Sequence, residues 1–149
     1  MGRRFRCGLD PGREKFGLAI CGGSELIFSA IIPVSSLDVT ARCLKSGDFS
    51  EIAHLGIEGA PPRGAAAISV FLGNGTGFRL FKDELEERGV PCLVVDEAMT
   101  TLEGRALYWR LHPPRGLWRL LPLSLRVPPR AVDDMAAWAI LMRASSEGR

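Results

Sequence analysis

The sequence is poor in the features that define several common classes of protein. It has four widely spaced cysteines with no C-x-x-C pair, and only two histidines, so neither a zinc site nor a disulfide framework is expected. No apolar run approaches the ~20 residues that a membrane-spanning helix needs. No apolar signal stretch follows the basic residues 1–6. We therefore expect a cytoplasmic protein that has no membrane partner.

The remaining composition is ordinary for a globular chain. The 149 residues are 46% hydrophobic and 24% charged, which argues against global disorder, a coiled coil or a collagen-like repeat. This length fits a single domain, which we assign to residues 1–149, and it allows a sizeable core to be buried. The sequence is compatible with a monomer and with a homodimer.

The order of the predicted elements indicates an α/β protein. Residues 5–10, 15–21 and 26–34 are short apolar segments separated by turns, which predicts an antiparallel meander of three strands. After a helix and an unpatterned loop over 48–64, the pattern alternates between strand and helix. Residues 112–129 hold five prolines and predict a loop before the last helix. A meander followed by such alternation implies a mixed sheet with helices on both faces.

Acidic residues stand at three element ends that this topology could bring together. Asp10 ends the first strand, Asp96 and Glu97 end the fifth, and Asp133 and Asp134 open the last helix. Mg²⁺ prefers carboxylate oxygens, and two ions held ~3.5–4 Å apart can activate water for phosphodiester cleavage. Each acid also has a purely structural explanation, as a turn residue or as an anion at a helix N-terminus. Spacing alone does not show that the acids converge.

A basic segment lies between Glu103 and Asp133, where the chain has no acidic residue. Its arginines are Arg105, Arg110, Arg115, Arg119, Arg126 and Arg130. The aromatic residues among them are Tyr108, Trp109 and Trp118. This combination suits a phosphate backbone with unstacked bases, and a solvated surface rich in arginine is an equally good explanation.

Two glycine-containing turns are candidate phosphate contacts. They contribute Gly12 after the first strand, and Gly73, Asn74 and Thr76 after the strand over 67–72. Backbone N–H groups that lead into a helix can hold a phosphate. The alternative is a tight strand-to-helix turn with Thr76 as the N-cap, which the absence of a following lysine favours.

Three motifs resemble the YqgF/RuvX family of RNase H-like nucleases, described as Holliday junction resolvases and pre-16S rRNA nucleases. Residues 7–19 (CGLDPGREKFGLA) are similar to the opening hairpin of that family. Residues 94–101 (VVDEAMTT) are similar to its strand-end motif, and residues 132–141 (VDDMAAWAIL) to its final helix. The motifs occur in the order that the family has.

The resemblance implies an RNase H-like fold, with a five-stranded mixed sheet whose first three strands are antiparallel. It implies that Asp10, Glu97 and Asp133 are the catalytic metal ligands, that Asp134 is an auxiliary ligand and that Asp96 is an alternative to Glu97. The cofactor would be Mg²⁺ or Mn²⁺. The activity would be that of a nuclease on structured nucleic acid, either RNA or branched DNA.

Two alternatives to a nuclease remain at this point. Ala98 stands where the family usually has arginine, which favours a nucleic-acid-binding module that keeps the fold but has weak or no turnover. Actin-like ATPases share the opening hairpin. They build their cleft from two such domains, and 149 residues supply only one.

Overall fold

The computed structural model describes residues 4–63, 67–96 and 100–148. Within these ranges six strands form one sheet: β1 (Arg4–Asp10), β2 (Lys15–Gly22), β3 (Glu25–Pro33), β4 (Gly56–Gly59), β5 (Ala67–Gly73) and β6 (Leu93–Val95). The α-helices of the same ranges are α1 (Leu37–Ser46), α2 (Phe78–Glu87), α3 (Thr100–Leu111) and α4 (Asp133–Ser146). Short 3-10 helices lie in the connections at Val34–Ser36, Ser50–Leu55, Gly116–Leu120 and Leu123–Leu125.

The sheet has the strand order β4-β3-β2-β1-β5-β6. Strands β1 to β4 pair antiparallel in succession, whereas β5 lies parallel to β1 and β6 lies parallel to β5. β1 therefore pairs antiparallel with β2 on one side and parallel with β5 on the other. This is the arrangement of the RNase H-like fold. The predicted fold class is therefore confirmed, including the antiparallel pairing of the first three strands.

The predicted number of five strands was wrong, because β4 adds a sixth at the edge beside β3. Its sequence, Gly-Ile-Glu-Gly, has one apolar residue and no alternation, so nothing in the pattern indicates a strand. Backbone pairing with β3 forms this strand, with Ser29 opposite Glu58. The extra strand thereby brings a carboxylate to the face of the sheet that carries Ser29.

The two faces of the sheet bury different helices. Side chains alternate between the faces along each strand, and Leu9 of β1 and Leu18 of β2 lie in the larger core, with α1 and α2. Ala19 of β2 and Phe71 of β5 lie in a second core beneath α4. Because α3 packs on α4 from outside, α4 is buried around most of its circumference rather than on one face.

Glycines in the first two strands let α4 approach the sheet closely. A Cβ atom at Gly8 would collide with the backbone carbonyl of Ala137, and one at Gly17 would collide with that of Asp133. Gly104 of α3 lies similarly against α4, where a Cβ would be 3.1 Å from the backbone nitrogen of Ala136. The missing side chains at Gly8 and Gly17 therefore set how closely α4 lies on the sheet, while the contact at Gly104 is looser.

The proline-rich segment 112–129 is a long connection, as predicted, which contains two short 3-10 helices and folds back against α3. The ring of Trp109 stacks on that of Trp118 at 6.3 Å, and the Trp109 indole N–H donates a hydrogen bond of 3.0 Å to the Arg126 carbonyl. Among the helices of the described ranges, none is long and apolar enough to cross a membrane.

Candidate active site

The carboxyl ends of β1, β5 and β6 meet at one edge of the sheet because these strands are parallel. β1 ends at Asp10, and β6 is followed directly by Asp96. The backbone N–H of Asn74, just after β5, donates a hydrogen bond of 3.1 Å to the carbonyl of Val95. In open sheets with parallel strands, ligands bind outside these strand ends, so this edge is the candidate site.

Asp10 and Asp133 lie on the same face of the sheet at this edge. Asp10 is the cross-strand partner of Gly17, so the two residues share a face. The space that a side chain at Gly17 would fill is taken by the backbone carbonyl of Asp133. Gly17 therefore brings the first turn of α4 next to the end of β1.

Lys15 forms an ion pair with Asp133 in this corner. The Lys15 Nζ lies 3.3 Å from the Asp133 carboxylate, and the Asp133 side chain is 36% exposed. The carboxylate also lies in the first turn of α4, where the positive end of the helix dipole favours an anion. It is thus an accessible anion, paired in this structure with a flexible surface cation.

Asp134 lies in a different environment from its neighbour. Its side chain is fully buried and accepts a hydrogen bond of 2.5 Å from the Ser29 hydroxyl. The Arg130 guanidinium donates two more, of 2.8 and 3.3 Å. These three donors engage both carboxylate oxygens, so the structure places the proposed auxiliary metal ligand in a buried ion pair.

Arg130 links this ion pair to the added strand β4. Its guanidinium also donates to Glu58 at 3.1 Å and lies 5.3 Å from the centre of the Tyr108 ring. Glu58 in turn contacts His112 at 2.6 Å. Burial disfavours the Arg130 charge, but hydrogen bonds and charge from Asp134 and Glu58 outweigh it and raise the Arg130 pKa.

The Glu58 carboxylate is held in its charged form by the same contacts. Burial acts to raise its pKa, but the hydrogen bonds and charges of His112 and Arg130 outweigh burial and lower the pKa below its ordinary value. The network from Ser29 through Asp134, Arg130 and Glu58 ties α4 to β3 and β4. We call these residues the buried network.

Glu97 lies outside the described residues, together with Ala98. Its neighbour Asp96 is described, and its carbonyl accepts a hydrogen bond of 3.3 Å from Arg143. Arg143 also binds the Glu103 carboxylate at 2.5 Å. Within the described ranges, His, Cys, Asp and Glu side chains form no group of three or more that could hold a metal ion. The predicted metal site, which includes Glu97, stays a prediction.

The candidate phosphate turns are at the same edge of the sheet. Gly73 is buried at the end of β5, while Gly12, Asn74 and Thr76 are exposed on the turns. The expectation that Thr76 caps α2 was wrong. The N-cap is Gly77, which has the left-handed φ of 81° that glycine favours, and no side chain caps the helix.

The six arginines of the basic segment differ in accessibility. Arg110, Arg115 and Arg119 are exposed, whereas Arg105 and Arg126 are half-buried and donate hydrogen bonds to the carbonyls of Ser124 and Leu121 at 3.2 and 2.8 Å. Arg130 belongs to the buried network. Three of the six arginines are therefore exposed residues, and their role as phosphate contacts stays a prediction.

Several residues that shape the site were not singled out from the sequence. Ser29 and Glu58 lie far from Asp134 along the chain, and neither stands in a recognisable motif. Gly17 and Lys15 were part of the quoted hairpin, but their contact with Asp133 depends on how α4 docks. Gly17, in the middle of an apolar strand, was the one available signal of this docking, since such a glycine often marks a close approach of another backbone segment.

The strand order and pairing give the protein an RNase H-like α/β fold. No protein-family model and no curated protein sequence matches the chain. The chain is similar to the solved structure "T. thermophilus RuvC in complex with Holliday junction substrate", with 16% identity and a TM-score of 0.47 over 98% of this chain and 95% of that chain.

Two further structures from Thermus thermophilus show weaker likeness. A second RuvC structure has 15% identity and a TM-score of 0.43, covering 97% of this chain and 95% of that chain. The ROK hexokinase has 18% identity and a TM-score of 0.36, covering 71% of this chain and 37% of that chain. Similarity this low leaves the activity to be judged from the side chains of the site.

Proposed function

We propose that the protein is a metal-dependent nuclease that hydrolyses phosphodiester bonds in structured nucleic acid. The observation that carries this proposal is the meeting of Asp10 and Asp133 at Gly17, on one face and at the carboxyl ends of the parallel strands. Both residues are half-buried and come from distant parts of the chain, and their position at one corner supports the proposal that they would share a cation.

The donor set of this corner suits Mg²⁺ or Mn²⁺. Asp10 and Asp133 offer hard oxygen ligands, and Glu97 would complete the set in the proposal. A divalent ion would displace the Lys15 ammonium group from Asp133, since Lys15 is half-exposed and its side chain is flexible. When bound, the ions would supply an activated water and charge stabilisation at the leaving oxygen.

The chain's own residues would orient the substrate. Asp133 is set by the docking of α4 on Gly17, and the contacts of Asp134 with Ser29 and of Arg130 with Glu58 tie the start of α4 to β3 and β4. In this proposal Asp134 is a positioning residue and not a ligand. The exposed arginines Arg110, Arg115 and Arg119 would attract the phosphate backbone, whether of RNA or of branched DNA.

The test is a cleavage panel of junction DNA and precursor 16S rRNA fragments, each with Mg²⁺ and with Mn²⁺. Cleavage should fall at least about a hundredfold in Asp10→Asn and in Asp133→Asn, because each loses a charged ligand. Asp83→Asn, a change at an exposed acid on α2, is the matched control and should cut like the wild type. Millimolar Mn²⁺ should raise the Tm of the wild type but not of Asp10→Asn.

The second candidate is a nucleic-acid-binding module with the same fold and no turnover. The Lys15–Asp133 ion pair favours it, because a protein cation already neutralises one of the acids. The same panel separates the two functions. A wild-type protein that binds junction DNA or rRNA but cuts neither with either metal, and that matches Asp10→Asn in every assay, would establish the binding module and exclude the nuclease.

A further inference from the structure

A cavity of about 620 Å³ lies beside the acidic edge, on the face of the sheet opposite α4. It opens between the β1–β2 turn, the connection from β3 to α1, and α2. Gly12 and Arg13 of the turn line one side, and Gly12 is two positions after Asp10 in the sequence. A cavity of this size fits a ligand of one or two rings.

The floor of the cavity is apolar and one wall is polar. Leu37 and Phe81, both buried, contribute to the floor, and Leu80 stands at the mouth with 69% of its surface exposed. A flat apolar ligand in the cavity would cover the Leu80 side chain, and removing that apolar surface from water would favour binding. The apolar lining of the cavity is therefore complementary to a ring whose faces are apolar.

The polar wall consists of an ion-paired cluster. The Arg88 guanidinium bonds to the carboxylate of Asp38, and donates to the Glu84 carboxylate at 2.7 Å. These bonds hold both carboxylates in place, while each carboxylate has further acceptor positions for the N–H groups of a ligand. A ligand edge that carries hydrogen-bond donors would find fixed acceptors there.

We propose that this cavity binds the base of an unstacked nucleotide next to the phosphodiester group at Asp10. A nucleobase has apolar faces and a polar edge, which matches the floor and the wall, and the exposed Arg13 at the mouth can pair with its phosphate. A lipid chain would leave the polar wall without partners. This proposal rests on the proposed function, in which the strand to be cut passes over the adjoining edge.

The experiment compares nucleoside monophosphates with ribose 5-phosphate, which lacks the base, by NMR titration of amide shifts in the metal-free protein. We expect the nucleotides to bind about tenfold more tightly than ribose 5-phosphate. Leu80→Ser should abolish that advantage without changing the affinity for ribose 5-phosphate. Arg13→Ala should weaken both ligands equally, because both keep the phosphate.

Leu93→Ser is the matched control, since Leu93 is 54% exposed on β6 and does not line the cavity. Both leucine variants should keep the wild-type amide spectrum outside the substituted region. If the nucleotides have no advantage over ribose 5-phosphate, or if Leu80→Ser keeps it, the proposal is overturned.

Binding of junction DNA and precursor rRNA, measured on the same proteins, separates this proposal from the proposed function. If the cavity binds nucleotides as expected while neither polynucleotide binds, the proposed function fails and the nucleotide site stands. If the polynucleotides bind and are cut while Leu80→Ser binds nucleotides and polynucleotides like the wild type, the site fails and the function stands.

Discussion

Asp133 and Asp134 are adjacent in the sequence and identical in type, yet their environments are opposite. The Asp133 side chain is 36% exposed and faces Lys15 at the sheet edge, whereas Asp134 is completely buried between Ser29 and Arg130. Successive residues of an α-helix point about 100° apart. Because α4 is buried on most sides, this rotation leaves the Asp133 carboxylate accessible to a ligand. It directs the Asp134 carboxylate into the interior, where its contacts hold the helix in place.

The largest expected effect comes from Asp134→Ala. This change leaves the Arg130 guanidinium and the Ser29 hydroxyl without their buried partner, and removing one member of a buried ion pair costs about 3–5 kcal/mol. Asp133→Ala removes an ion pair of half-exposed groups and should cost less than about 1 kcal/mol. Urea denaturation of both variants measures the difference. Equal losses would mean that the two carboxylates do not differ in role.

The next largest effect is expected for Gly17→Ala. This change disturbs the packing that positions Asp133 and leaves the charge of Asp133 unchanged. The new methyl group would overlap backbone atoms of α4, so we expect a loss of about 1–3 kcal/mol. Gly104→Ala is the control, because its Cβ would lie 3.1 Å from Ala136, a small shift relieves that contact, and alanine favours the helix. Comparable stability of both variants in urea would contradict the close docking of α4 on Gly17.

Glu58→Gln tests the outer part of the buried network. At neutral pH the loss of charged hydrogen bonds should cost about 1–2 kcal/mol. The folded protein lowers the Glu58 pKa, so this stabilisation is present above the ordinary value of 4.5 and is lost as the pH falls through the lower folded value.

The free energies of unfolding of wild type and Glu58→Gln should therefore converge below about pH 4.5. Denaturation curves from about pH 7 to about pH 3 check this expectation. Glu51→Gln is the control, because Glu51 pairs with Arg42 on the surface, where both side chains are more than half exposed. A difference between wild type and Glu58→Gln that stays constant with pH would exclude the charged network.

Lys15→Met should have the smallest effect on stability, at most about 1 kcal/mol, because Lys15 is 52% exposed. It should nevertheless strengthen Mn²⁺ binding, because the cation that competes for Asp133 is gone. Lys82→Met removes a comparable surface pair with Glu86 and should leave Mn²⁺ binding unchanged. Calorimetric titration with Mn²⁺ measures both affinities. Unchanged or weaker binding in Lys15→Met would contradict the role of Asp133 as a ligand.

Local pattern was sufficient for most of the fold. The apolar strands of the meander, β5 and β6 and the helices that follow them were predictable, because alternation, turn residues and helix stops are encoded within a few residues. β4 was not, since Gly56–Gly59 carries no alternation and is a strand only because β3 offers it backbone partners. Likewise Gly77 and not Thr76 is the N-cap of α2, since the cap depends on the backbone conformation of the turn.

The kinds of residue at the candidate site could be predicted from the sequence, but which of the predicted residues lie together there could be predicted only in part. Asp10 and Asp133 were chosen for their places at element ends, and the docking of α4 on Gly17 puts both at one corner. Asp134 was predicted as an auxiliary ligand and Arg130, from the basic segment, as a phosphate contact, and the structure places both in the buried network. The role of Glu97 and the single domain over residues 1–149 stay predictions.

The sequence by itself determined most of the strands and helices, though not β4, and that acids stand at the strand ends and at the start of the last helix. Those features depend on interactions between near neighbours along the chain. Only the tertiary structure decided which of two adjacent aspartates faces solvent, because the partners of Asp134 come from β3 and from the residue that also binds β4. The burial of Asp134 and its hydrogen bond from Ser29 depend on residues distant in the sequence, and the presence of Arg130 four positions earlier does not by itself predict that burial.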